Sequence, residues 1–303
     1  MGQLSTTGAL DRQALIDAAE TYLDALAANN VAQVPFALAA RFTENSQELE
    51  IGDGFWATCS GRGVYKQFAA DPVTQQVGFI GVMRESGREV IFGLRLRIED
   101  GLVSEAETVV SRDPILFYKD GPAKLEARGE PMPLWRERVP ESERANRAEL
   151  AATADAYFEA LQLNDGTKVP PIAAECDRMD NGVMATHAPE FDEPGDPPFY
   201  ALGPAEQLAT GYFGFVTRIR DRRYPIIDEE FGVVFSLSFL DHSGAVREIA
   251  LTDGRTVPIG VDRPFAWQIM EVFKITGGLI RQIEVLLNLS FYGMRPNWPA
   301  TAV

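Results

Sequence analysis

The chain is 303 residues long and sets 28 Lys and Arg against 44 Asp and Glu, a net charge of −16. Charge of that sign gives no grip on nucleic acid or anionic membrane, which reward clustered positive charge. Hydrophobic residues make up 46% of the chain, which excludes global disorder, and no apolar run approaches the roughly 20 residues that cross a bilayer.

The chain opens on an amphipathic helix. Leu15, Ile16, Ala19, Tyr22, Leu23 and Leu26 fall at helical spacing, and Asn29-Asn30 is a stop signal. Val34-Pro35 and Arg41-Phe-Thr-Glu44-Asn45 follow, and then the period changes. In Glu89–Ile98, Val90, Phe92, Leu94, Leu96 and Ile98 share one face of a strand, with Glu89, Arg95 and Arg97 on the other. Turn signals at Glu85-Ser-Gly87 and Glu99-Asp-Gly101 make hairpins. Residues 114–144 are rich in Pro, Gly and charge and read as a connector, with Ile115-Leu-Phe-Tyr118 and Leu134-Trp135 packing on a domain surface.

The pattern then repeats. Ala154-Asp-Ala-Tyr157-Phe-Glu-Ala-Leu161 matches Ala19–Leu26, Val169-Pro170 matches Val34-Pro35, and Arg178-Met-Asp180-Asn181 matches Arg41–Asn45. Gly278-Leu-Ile-Arg-Gln-Ile-Glu284 matches Gly101–Glu107. The offset is 135 at the Tyr pair and 177 at the closing Gly pair, so copy two carries about 42 extra residues, assigned to Glu190–Pro198 and Asp241–Pro264. A helix followed by a run of strands reads as α+β. The predicted domains are 8–113 and 145–298, joined by 114–144.

A unit of N-terminal helix, short strand and long twisted sheet resembles the NTF2-like (SnoaL-like) cone fold, here in two tandem copies, and the paired motifs also look like an uncharacterised two-copy NTF2-like family. The resemblance implies two cones, each an N-terminal helix pair packed on a curved antiparallel sheet around an apolar pocket. Such folds host isomerases, dehydratases, cyclases, lyases and binding modules, so function must be argued from the site.

Ketosteroid isomerase, an enzyme of this fold, uses a carboxylate base with a Tyr and a protonated acid as oxyanion donors. Copy two resembles it in spacing. Tyr157 lies on the first helix, Asp180 follows 23 residues later, and Glu271 stands in the strand Trp267–Ile280 at the second-acid position. Copy one offers Tyr22 and Glu44 or Asn45, but its strand reads Leu94-Arg-Leu-Arg97 and lacks the second acid. The chemistry asks for these types: a base to remove a proton beside a carbonyl, donors where enolate charge develops, and a dry pocket that keeps a carboxylic acid protonated.

His187 is a candidate acid or base, whereas His242, in Asp241-His-Ser-Gly244, reads as a surface turn residue. Arg178, Asn181, Tyr212, Arg222, Arg223, Trp267 and Glu284 are candidate substrate contacts, Arg222 and Arg223 as an anion clamp with Asp228-Glu-Glu230 close by. Tyr200, Tyr212, Phe213, Phe215, Trp267, Phe291 and Tyr292 are core or line the pocket, which favours a flat aromatic ligand. No His-x-x-x-His spacing, Walker loop or Gly-x-Gly-x-x-Gly occurs, so neither a metal nor a nucleotide cofactor is expected. Cys59 and Cys176 read as buried free thiols of a protein in a reducing cytoplasm. The expected function is a cofactor-independent lyase or isomerase acting on a small hydrophobic, oxygenated substrate in the copy-two pocket. The alternative is a small-molecule-binding module, or a homodimer formed through the sheet face that carries Arg95 and Arg97.

Overall fold

The computed structural model describes residues 8–112, 120–192 and 199–299. Helix α1 (Arg12–Ala27) starts where the Asp11 carboxylate accepts from Ala14 N. Its counterpart α4 (Arg147–Leu161) starts on a capping box, Asn146 and Glu149 each bonding the other's backbone N–H. Caps of this kind stabilise a helix start by about 1 kcal/mol. Both helices bury the predicted stripe, including Leu15, Ala19, Tyr22 and Leu26 in one and Leu150, Ala154, Tyr157 and Leu161 in the other.

Each helix lies on a six-stranded sheet of the same design. Lobe one comprises β1 (Phe36–Glu44), β2 (Gln47–Glu48), β3 (Cys59–Asp71), β4 (Gln76–Glu85), β5 (Arg88–Glu99) and β6 (Leu102–Ser111), with a single turn of helix, α2 (Phe55–Thr58), before β3. After α3 (Gly121–Arg128), lobe two comprises β7 (Ile172–Asp180), β8 (Val183–Met184), β9 (Arg218–Asp228), β10 (Val233–His242), β13 (Phe265–Thr276) and β14 (Leu279–Ser290). Strand orders are β2-β1-β6-β5-β4-β3 and β8-β7-β14-β13-β10-β9. The class is α+β, as the sequence predicts. The sheets are mixed rather than antiparallel: β1 runs parallel to β6, and β7 to β14, because the first strand enters alongside the last strand of the meander in the same direction. The predicted helix pair is one long helix and one short one in each lobe.

The extra residues of copy two lengthen the connection around α5 (Pro204–Ala209), between β8 and β9, and add a hairpin of β11 (Glu248–Ala250) and β12 (Thr256–Pro258) between β10 and β13. The first insertion is broader than Glu190–Pro198, part of which lies outside the described residues. So does Ile115–Tyr118 of the connector. The described connector does pack, and deeply: Leu125 and Trp135 are buried in the cluster that joins both sheets. Lys274, fully buried, donates to the carbonyls of Glu137 (2.5 Å) and Phe231 (2.6 Å), pinning the connector to β13. Burial lowers its pKa to about 8.

The two sheets pack their outer faces against each other. Tyr65, Ile80, Val82 and Val109 from lobe one meet Ile226, Phe235, Met270 and Leu286 from lobe two in one cluster. Small residues allow the approach: a Cβ on Gly78 would stand 2.6 Å from the Phe235 ring, and one on Gly93 2.5 Å from Met270 Sδ. Polar contacts cross this layer in reciprocal fashion. Arg12, at the start of α1, pairs with Asp228 of lobe two at 2.7 Å, and Arg147, at the start of α4, pairs with Asp71 of lobe one at 2.7 Å. Arg95, expected to face outward, is buried between Gln76, Glu105 and Glu107. The faces that a sheet-mediated homodimer would use are thus occupied within one chain.

Gly78→Val should destabilise the protein by about 2–3 kcal/mol, because the rigid Phe235 ring has nowhere to go, while Gly260→Ala, in open space, should be neutral. Urea denaturation measures both, and equal midpoints would contradict tight inter-sheet packing.

Candidate functional site

Strand parity decides which side chains meet under the helix of lobe two. On β10, Val234 and Leu240 belong to the inner core beneath α4, whereas Phe235 and Leu237 belong to the inter-sheet layer. Ile269 and Phe273 on β13, together with Cys176 on β7, also face inward. Glu271, Arg178 and Asp180 share that parity.

Four of the predicted residues come together there. Tyr157, Arg178, Asp180 and Glu271 are 2%, 6%, 6% and 3% exposed. Arg178 Nε lies 3.1 Å from Asp180 Oδ1, and its guanidinium acts electrostatically on the Tyr157 hydroxyl. Burial pushes the Tyr157 pKa up; Arg178 opposes that, and the Glu271 and Asp180 charges add to it. Burial, reinforced by the Asp180 charge and opposed by Arg178, drives the Glu271 carboxyl well above the ordinary carboxylate range. A carboxylic acid that stays protonated beside a carboxylate is the pairing that separates a donor from a base. Around it stand aromatics of the first insertion: Arg178 lies over Phe213 at 5.5 Å, Phe199 and Tyr212 are 4.5 Å apart, and Tyr200 feels both Asp180 and Arg178.

The matching face of lobe one is more apolar, though it still buries Tyr22 and Glu44. Register places Leu94 where lobe two has Glu271, and Phe79 where it has Ser236. Phe42 occupies the level of Arg178, and Phe55, Trp56 and Phe92 fill the space beneath α1. Tyr22 survives, but its hydroxyl accepts from Trp56 Nε1 at 3.0 Å. Glu44 accepts from Phe55 N and from Arg112, each at 2.6 Å.

Other candidates lie elsewhere. His187 bonds Asp177 at 2.8 Å, and Asp177 points to the opposite side of β7 from Arg178 and Asp180, so the histidine is not part of the cluster. Asn181 and Asn45 are left-handed residues that clamp backbone, Asn181 on Leu287 (2.8 and 3.0 Å) and Asn45 on Val110 (2.7 and 3.2 Å). Arg222 pairs with Asp155 and Glu159 of α4 at the surface. Arg223 lies on the outer face and pairs with Glu107 at 2.5 Å, so no anion clamp forms; Asp228 and Glu230 bind Arg12 and Arg138 instead. Glu284 is also in the inter-sheet layer, where its Oε2 accepts from Tyr65 Oη at 2.8 Å. Trp267 is half-buried beside Phe265 and His242. His242 is no surface residue: it is buried and stacked on Phe265 at 4.4 Å, and burial lowers its pKa to about 4. Phe291 and Tyr292 are exposed and belong to neither core nor pocket. Cys59 and Cys176 are buried free thiols.

Sequence reasoning matched Glu107 with Glu284 but missed that both reach across to the other lobe. They stand at the same place in the two closing strands, and each takes a partner from the opposite lobe. The repeat carried that signal. Their environments differ: burial raises both, but Arg223 and Arg95 outweigh it at Glu107 and hold its pKa low, whereas at Glu284 the Tyr65 hydroxyl and the Arg128 charge offset burial only in part and the pKa rises to about 7.

Among the described residues no group of three or more His, Cys, Asp and Glu side chains is placed to hold a metal ion, and no helix is long and apolar enough to cross a membrane. A surface cleft of about 580 Å³ lies between residues 142–153 and the Gly277-Gly278 turn, and another of about 190 Å³ lies along residues 159–168; neither borders the buried cluster.

These features define a two-lobed α+β protein whose two helix-covered sheet faces differ in polarity, lobe two's the more polar. The chain matches the family described as "Domain of unknown function (DUF8021)" over residues 8–110 and 143–287, and it belongs to that family. Among solved structures it is similar to a protein of unknown function with cystatin-like fold from Methylobium petroleophilum PM1, at 12% identity over 36% of this chain and 83% of that one, with a TM-score of 0.31. It is also similar to a de novo designed protein with a curved β-sheet, at 12% identity over 48% of this chain and 88% of that one, with a TM-score of 0.26. No curated protein matches it.

Because the ordinary pKa of Glu284 is 4.5 and the folded value about 7, its penalty is absent below about pH 4.5 and grows to about 3 kcal/mol by about pH 7. Glu284→Gln should therefore gain stability over the wild type as pH rises from about 5 to 7, read from urea denaturation at each pH. A gap that does not change with pH would contradict this assignment.

Proposed function

We propose that the lobes are NTF2-like cones and that lobe two is a cofactor-independent acid–base site of the lyase or isomerase class. Its substrate would be a small, hydrophobic, oxygenated aromatic molecule. The observation that carries this reading is the convergence of Tyr157, Asp180 and Glu271 in one buried cluster, whose counterpart in lobe one keeps Tyr22 and Glu44 but has Leu94 in place of the second acid. Burying charged side chains carries a desolvation cost, and lobe two buries Arg178, Asp180 and Glu271 together on this face.

In this reading Asp180 takes the proton from a carbon beside a carbonyl, and the C–H electron pair moves into the carbonyl to give an enolate. The enolate oxygen accepts from the Tyr157 hydroxyl and from the protonated Glu271 carboxyl. Returning the proton at another carbon shifts a double bond; expelling a β-hydroxyl as water dehydrates. A retro-aldol cleavage uses the same groups, with Asp180 taking the proton of a hydroxyl as the C–C bond breaks. Arg178 holds Asp180 in place. Entry requires the aromatic cover of Tyr200, Tyr212 and Phe213 to part, and that cover favours a flat ligand. The same collar favours a second reading, a site that binds such molecules without turning them over.

Deuterium exchange at the α-carbon of a bicyclic ketone such as 2-tetralone, followed by NMR in D2O, separates the two. The catalytic reading predicts exchange above background, reduced about 100-fold or more in Asp180→Asn. The rate should fall as pH rises through the raised pKa of Glu271, since only its protonated form donates; Glu271→Gln should remove that alkaline fall. Exchange at the same rate in wild type and Asp180→Asn would overturn the catalytic reading, and binding without exchange would establish the second.

A further inference from the structure

We propose that Ser238 is a second polar anchor on the inner face of lobe two, and that the ligand there is a ring compound carrying hydrogen-bonding oxygens at two separated positions. The proposal rests on the acid–base reading of this lobe and adds to it the class of substrate.

Two serines, Ser236 and Ser238, stand on β10 with inward parity, between Val234 and Leu240. They differ in one respect. Ser236 Oγ donates to the Glu271 carbonyl at 3.0 Å and is satisfied within the sheet. Ser238 is 2% exposed and its Oγ has no hydrogen-bond partner. A buried hydroxyl without a partner is unfavourable relative to a methyl of the same size. The sheet does not require it either, since the register puts Gly81 at this level in lobe one.

The register also fixes where Ser238 stands relative to the acid. Ser236 faces Glu271 across the strand pair, and Ser238 faces Ile269. Ser238 and Glu271 are therefore diagonal neighbours on the same face, with Cβ atoms roughly 7 Å apart. That separation is about the span of one or two fused rings. A ligand whose first oxygen meets Tyr157 and Glu271 would lie over Ile269 and bring a second oxygen to Ser238. In the free protein the Ser238 hydroxyl is an unmet hydrogen-bonding group; in the complex it has a partner. A site with such a group favours ligands that complete it over those that do not.

Isothermal titration with 2-naphthol and 2,6-dihydroxynaphthalene tests the proposal, the phenol oxygen standing in for the enolate. Wild type should bind the diol about tenfold more tightly than the mono-ol. Ser238→Ala should lose that preference while keeping its affinity for 2-naphthol, and its urea midpoint should be equal to or above that of the wild type. Tyr157→Phe should weaken both ligands. A diol preference retained in Ser238→Ala, or no preference in the wild type, overturns the role of Ser238 and leaves the acid–base reading standing. A Tyr157→Phe variant that binds both probes as the wild type does shows that they sit outside this lobe, which overturns the substrate class. Failure of either probe to bind at millimolar concentration overturns it as well. A lowered midpoint in Ser238→Ala would mark the hydroxyl as structural.

Discussion

The constraint on which the molecule depends is the packing of two like sheets, outer face to outer face, within one chain. Neither sheet is stable with one apolar face in water, and each supplies the cover the other lacks. The contact is close because Gly78 and Gly93 leave room for Phe235 and Met270. It is held in register by ion pairs that cross in both directions, Arg12 to Asp228 and Arg147 to Asp71. The acids of these pairs are 3% and 0% exposed, so removing either arginine would strand a buried charge, a loss of about 3–5 kcal/mol. The closing-strand acids extend the exchange, Glu107 reaching Arg223 and Glu284 reaching Tyr65.

With the outer faces committed to each other, the inner faces are free to diverge. Lobe one fills its inner face with Phe42, Phe55, Phe79 and Phe92. Lobe two has kept Arg178, Ser236, Ser238 and Glu271 at corresponding or neighbouring levels. The two inner faces thus differ in how much buried charge they hold, Arg178, Asp180 and Glu271 in lobe two against Glu44 in lobe one.

Much of this was legible in the sequence. The repeat, the α+β class, the two amphipathic helices and the inward face of Glu89–Ile98 follow from hydrophobic period alone, and the spacing from Tyr157 to Asp180 and Glu271 pointed to the cluster. What was not legible depends on contacts between distant parts of the chain. Arg223 and Glu284 resemble site residues by type, but strand parity turns them outward, and parity around an irregular strand shifts with one bulge, as it does between Phe235 and Leu237. Asn181 reads as a polar ligand contact; its positive φ and its clamp on Leu287 appear only when β7 meets β14. His242 sits in a turn-like sequence and is nevertheless buried, because Phe215 and Phe265 close over it.

The account stands on Glu271 being a neutral acid beside the Asp180 carboxylate. Infrared spectroscopy with ¹³C-labelled glutamate, in a Glu284→Gln background at neutral pH, observes this directly. The account predicts a protonated-carboxyl band that disappears on further substitution of Glu271 by Gln. A spectrum containing only ionised glutamate carboxylates would contradict it.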